Sequence, residues 1–223
     1  MSDFSAGIFI LYKDKDKVFP FLTEGEFFIQ YNAQWAGKLS PLDTGYDLPP
    51  QTMALSKETP LLHIIHAEDH GFSMRIIHNA AVTFTFEMPY MAQAELAHEI
   101  GNELFGEAWF LDTDKAPERY RQADVEAAKR LKEQGIPGIY FTPNHEESLR
   151  AFQVFGIGDE TIQNLRSLLN VENFKKDAHE MIYAALDALG LTQFSFVAHD
   201  YVSGDDDRFV FLTLRRGVNP FRI

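Results

Sequence analysis

The sequence predicts an α+β fold: an antiparallel β-sheet built from the N-terminal half, covered by about five α-helices, with a C-terminal β-hairpin. Three observations predict it. Strand-like runs follow one another between residues 61 and 87, with connections too short for anything but antiparallel neighbours. Apolar residues then recur at helical spacing in several segments between Met91 and Leu189. After Gly190 the pattern returns to strands, which either join an edge of the first sheet or form a small sheet with residues 139–141.

Taken in order, Gly7-Ile8-Phe9-Ile10-Leu11-Tyr12 is a β-branched and aromatic run followed by a charged turn, Lys13 to Lys17, and Glu26 to Tyr31 is a second strand. Between Asn32 and Pro60 lie Gly37, Pro41, Gly45, Pro49 and Pro50, so this stretch reads as one long irregular connection, with Trp35 and Tyr46 inside it. Leu61–His66, Phe72–His78 and Ala81–Glu87 are three further strands. In the last, Val82, Phe84 and Phe86 alternate with Thr83, Thr85 and Glu87, as on a sheet with one buried face.

Helices are expected over Met91–Phe105, from Asp114 and Pro117 to Gly135, over about 145–154 and 160–169, and over Phe174–Leu189. The hairpin pairs Phe194–Val202 with Arg208–Leu214 around an acidic tip. A single domain over residues 1–223 is the simplest organisation. A subdivision near 110 would separate a sheet-rich 1–110 from a helical 111–223 that carries the hairpin.

Composition bounds the function. Twenty phenylalanines among 223 residues require a thick aromatic interior. Cysteine is absent, which removes disulfides, thiolate nucleophiles and sulfur-based zinc sites, so any metal must sit on histidines and carboxylates. The net charge is −13, and the first 110 residues hold 6 basic against 15 acidic side chains. Such a surface repels phosphate backbones and anionic lipid, so neither nucleic acid nor membrane is expected as a partner, while a basic protein is allowed. No signal-like or membrane-spanning apolar run is present, and a cytoplasmic location follows as the expectation.

The densest set of candidate ligands is His63-Ile64-Ile65-His66-Ala67-Glu68-Asp69-His70, with His78 beyond. Residues three apart on a strand face opposite sides, so His63 and His66 are not expected to share a site. His66 and His70, with Asp69 or Glu68, define the alternative reading, a metal-dependent hydrolase site at a hairpin end. Each of His98-Glu99, His145-Glu146 and His179-Glu180 lacks the second histidine of H-E-x-x-H, with Asn102, Leu149 and Tyr183 in its place. Asp205, Asp206 and Asp207 are read as a solvated hairpin tip.

Two short resemblances to known families are present. His199-Asp200 is similar to the dyad of HD-type phosphohydrolases, although it lies in a strand-like run. Gly156-Ile157-Gly158-Asp159-Glu160-Thr161, with Leu149 and Phe152 before it and Ile162 and Leu165 after, resembles the hairpin of the helix-hairpin-helix DNA-binding motif. That resemblance implies amide contacts to DNA phosphates, against which Asp159 and Glu160 set negative charge. Read from the residues alone, the segment is a tight corner in which Gly156 ends one helix and Asp159 caps the next.

Neither G-x-S-x-G nor G-x-x-x-x-G-K-[ST] occurs. Catalytic groups assembled only by folding leave no local pattern, so enzyme or non-enzyme stays open at this point. The leading expectation is a non-catalytic protein-binding module without cofactor or metal, an inhibitor or immunity-type protein that meets a basic partner. Trp35, Asp43, Tyr46 and Asp47 of the irregular segment are the candidate contacts.

Overall fold

The computed structural model describes residues 4–23, 26–39, 48–67, 71–89, 92–133, 140–141, 148–192, 202 and 210–213. Strand β1 (Phe4–Leu11) runs through the middle of the sheet, between β3 (Trp35–Leu39) and β4 (Leu61–Ala67). Its Phe9 stands opposite Gly37, where an added Cβ would fall 2.8 Å from the Phe9 ring. Glycine in mid-strand thus has a steric cause, the close approach of an aromatic ring.

With β2 (Phe27–Gln30), β5 (Gly71–His78), β6 (Ala81–Pro89), β7 (Tyr140–Phe141) and β8 (Val210–Thr213), the described strands form one antiparallel sheet in the order β7-β6-β5-β4-β1-β3-β2-β8. The late strands part company: β8 joins the β2 edge and β7 the opposite edge on β6. The other arm expected for the C-terminal hairpin, 194–202, lies almost wholly outside the described residues.

The long connection expected over 32–60 is corrected, because it contains β3 and a short helix α1 (Pro50–Leu55) that opens with Pro at its first position. The charged turn after β1 is a 3-10 helix (Tyr12–Lys17), followed by a second over Phe19–Phe21. Between Ile76 and Ile77 the β5–β6 register shifts: Ile76 faces Phe84 while Ile77 faces Val82. The extra residue, Thr83, reverses the alternation at this end, which leaves Val82 exposed while Phe84 and Phe86 are buried.

Each face of the sheet has its own cover. On one, Phe9, Trp35, Leu62, Ile64, Met74, Ile76, Phe84 and Phe86 pack against a 3-10 helix (Leu149–Phe155), α4 (Asp159–Leu168) and α6 (Ala178–Ala188), through residues such as Phe152, Leu165, Ile182 and Leu186. On the other, Ile8, Ile10, Phe28, Ala36, Leu61 and Ile77 pack with Val18 and with Leu55 of α1.

The helix expected over Phe174–Leu189 is two, α5 (Val171–Lys176) and α6. Asp177 is extended, and its carboxylate accepts a hydrogen bond from the Glu180 amide at 2.9 Å. It is the N-cap of α6, and a carboxylate satisfying a free amide there outcompetes continuation of the preceding helix. At the corner 156–159, Gly156 has φ +73° and ends the 3-10 helix, but the cap of α4 is Gly158 rather than Asp159. Asp159 is instead the first residue of α4, and its side chain accepts from Gln153 at 3.1 Å. Among the described residues no helix is long and apolar enough to cross a membrane.

Candidate functional site

Strand alternation decides the histidine ribbon. Leu62, Ile64 and His66 face the α6 side of β4, while Leu61, His63 and Ile65 face the other. His63 is buried in a cross-strand row with Ile8, Arg75 and Thr85, and Lys38 lies beyond Ile8. Each cation of this row has a carboxylate from outside the row beside it: Arg75 Nε donates to Glu87 at 3.0 Å and its Nη2 meets the same carboxylate, while Lys38 Nζ lies 2.6 Å from Glu26. Lys38 is only 9% exposed, so its charge is tolerated because Glu26 accompanies it.

His66 lies beneath α6, with its ring 6.3 Å from that of His179 and 6.1 Å from that of Tyr183. Glu68, Asp69 and His70, needed for the alternative metal reading, lie outside the described residues, as do His145-Glu146, His199-Asp200 and Asp205–Asp207. His78 stands at the end of β5 opposite Ala81. Among the described residues no group of three or more His, Asp and Glu side chains is placed to hold a metal ion.

Of the contacts expected for a partner, Trp35 is fully buried in β3. Its indole Nε1 donates to the Leu189 carbonyl at 2.8 Å and its ring lies 5.2 Å from Phe155. The irregular-loop placement is therefore corrected: Trp35 joins the sheet to the end of α6 and offers no surface to a partner. Asp43, Tyr46 and Asp47 lie outside the described residues.

The surface that sequence reasoning missed is a helical unit made of α2 (Ala92–Phe105), a 3-10 turn (Trp109–Leu111) and α3 (Ala116–Glu133). Its two helices pack chiefly against each other, around Ala97, Ile100, Ala123 and Ala127. Small residues allow the backbones to come close, and Trp109 closes the end, its ring 4.4 Å from Tyr120 and 6.0 Å from Phe105. A groove of about 310 Å³ runs between the helices, lined by Ala94, Ala97, Tyr120, Arg121 and Asp124.

Five of the nine large hydrophobic side chains exposed among the described residues belong to this unit: Leu104, Phe110, Leu111, Tyr120 and Val125, with Leu111 69% exposed. The charges follow a pattern. Lys115 and Arg119 lie near Asp112, Arg121 forks onto Glu118, Lys129 meets Glu126, and Arg130 bridges Glu126 and Glu103. Hydrogen bonds from Arg121 and then Gln122 hold the Glu118 carboxyl down at about 2. Glu95, Glu99, Glu107 and Asp114 are exposed and belong to none of these ion pairs, so the uncompensated charge of the unit is negative. A signal was present in the sequence, Phe105 to Leu111 with its aromatic run between two helices, but apolar letters alone do not tell an exposed surface from a core.

Comparison of the chain with known family models, with curated proteins and with solved structures found no match.

Proposed function

We propose that this chain is a non-catalytic protein-binding module that engages a basic partner through the α2–α3 unit. The observation that carries the reading is the concentration of exposed Leu104, Phe110, Leu111, Tyr120 and Val125 on one helical unit whose unmatched charges are acidic. Apolar side chains supply affinity when a partner removes them from water, and a ring of one sign steers a partner of the other. An inhibitor or immunity-type neutraliser of a basic protein, working in the cytoplasm where a cysteine-free chain gives up nothing, is the role that fits.

The test compares proteins captured by the wild type and by Leu111→Asp at two ionic strengths. The expected result is a basic protein, identified by mass spectrometry, that is recovered by the wild type, lost with Leu111→Asp and weakened by salt. Equal recovery by both forms would reject the α2–α3 unit as the docking surface.

A further inference from the structure

The groove between α2 and α3 has two unlike walls. Ala94 and Ala97 of α2 make one side low and apolar, while Tyr120, Arg121 and Asp124 of α3 line the other. Its volume, about 310 Å³, lies at the lower end of the range of roughly 300–1,000 Å³ over which pockets take small organic groups. One long side chain fits such a space, whereas a helix about 10 Å across does not.

The two charges in the groove are not equivalent. Arg121 is occupied: its Nε donates to Glu118 at 3.0 Å and its Nη2 to the same carboxylate at 2.7 Å, so that pair is neutral as a whole. Asp124 is different. Its Oδ1 accepts from Gln93 Nε2 of α2 at 2.7 Å, a bond that holds the carboxylate between the helices without neutralising it. Among the described residues no cation pairs with Asp124. On the same wall Tyr120 is 45% exposed, and its ring is anchored by that of Trp109, 4.4 Å away.

An unneutralised carboxylate and an exposed aromatic ring across from small apolar residues make a setting that suits a guanidinium. That group is planar, weakly hydrated and permanently charged, so it lies against a ring while its N–H groups reach a carboxylate, and the aliphatic stem behind it covers alanine. We propose that the α2–α3 groove receives an arginine side chain of the basic partner, with its head on Asp124 and Tyr120 and its stem over Ala94 and Ala97. This rests on the docking surface proposed above and names the contact that would select the partner.

Isotope-labelled full-length protein titrated with N-acetyl-arginine amide and followed by amide NMR provides the test, with the citrulline analogue, which keeps the shape and lacks the charge, as control. The expected result is saturable shifts of the Ala97, Tyr120 and Asp124 amides at millimolar arginine amide, weakened about 5-fold by Asp124→Asn and absent with citrulline. The substitution keeps a side-chain oxygen that can accept from Gln93, so the helices stay joined. Leu111→Asp should leave the titration unchanged, because Leu111 does not line the groove. Absence of saturable shifts, or equal affinity in Asp124→Asn or for citrulline, would overturn the groove assignment. Capture of a basic protein that is lost with Leu111→Asp would still stand in that case, so the two readings fail separately.

Discussion

The indole of Trp109 occupies the space that a side chain at Gly101 would need: a Cβ placed there falls 2.2 Å from Cε2 and Cζ2 of the ring. In an open helix, alanine would outperform glycine by about 1 kcal/mol. Here the sign should reverse, with Gly101→Ala lowering stability by about 1–3 kcal/mol through overpacking. Urea unfolding measures it, and a midpoint equal to or above the wild type would show that Trp109 is not fixed against α2.

Tyr31 yields a pH prediction. Burial pushes its phenol well above the ordinary value, and its hydroxyl donates to the carbonyls of Thr192 and Leu191. A group whose pKa is raised on folding stabilises the native state below its unfolded pKa, and that contribution fades as pH climbs from about 10 toward the folded value. Thermal unfolding at pH 8 and at pH 11 should show a steeper alkaline loss for the wild type than for Tyr31→Phe. Parallel curves would contradict it.

The β5–β6 turn should be improvable. Asn79 and Ala80 have φ of 53° and 58°, the left-handed pair of a two-residue hairpin turn that favours Asn-Gly. Ala80→Gly should raise stability by about 0.5–1 kcal/mol by relieving the alanine at positive φ. Ser56 holds this turn from α1: its carbonyl accepts from the Asn79 amide at 2.9 Å and its buried hydroxyl from the Ala80 amide at 2.9 Å. Ser56→Ala should cost about 1 kcal/mol because it removes the acceptor of the partly buried Ala80 amide. Chemical denaturation of both variants checks the opposed signs.

Removing one member of the Lys38–Glu26 pair should cost more than removing both. Glu26→Gln leaves an ammonium buried without its counter-charge, at a cost of about 3 kcal/mol, whereas Lys38→Met with Glu26→Leu should recover most of that loss. A double variant less stable than the single one would mean that the pair is a net stabiliser of the sheet.

Much of this fold is legible because apolar runs of β-branched and aromatic residues bounded by short turns are hard to mistake. The strands bearing Ile8, Ile64 and Ile76 are such runs, and strand alternation places His63 and His66 on opposite faces, whereas the alternation read over 81–87 breaks at Val82. Strand β3 was not visible, because Gly37 and Lys38 read as loop residues until Phe9 and Glu26 supply their reasons. The break at Asp177 had a local signal, an acidic cap with Glu180 three residues on, which the apolar stripe on both sides outweighed. The α2–α3 surface depends on how its helices pair and on contacts such as Gly101 with Trp109, and the apolar letters of 105–111 do not tell which side chains that pairing leaves outside.

Among the described residues both borders of the sheet are segments made late, since Tyr140–Phe141 lines β6 and Val210–Thr213 lines β2. During synthesis the inner strands emerge with two bare rims, open to pairing with neighbouring nascent chains until those segments arrive. Such long-distance closure favours slow folding, because the loop-closure cost of pairing β2 with β8 precedes the contacts that offset it.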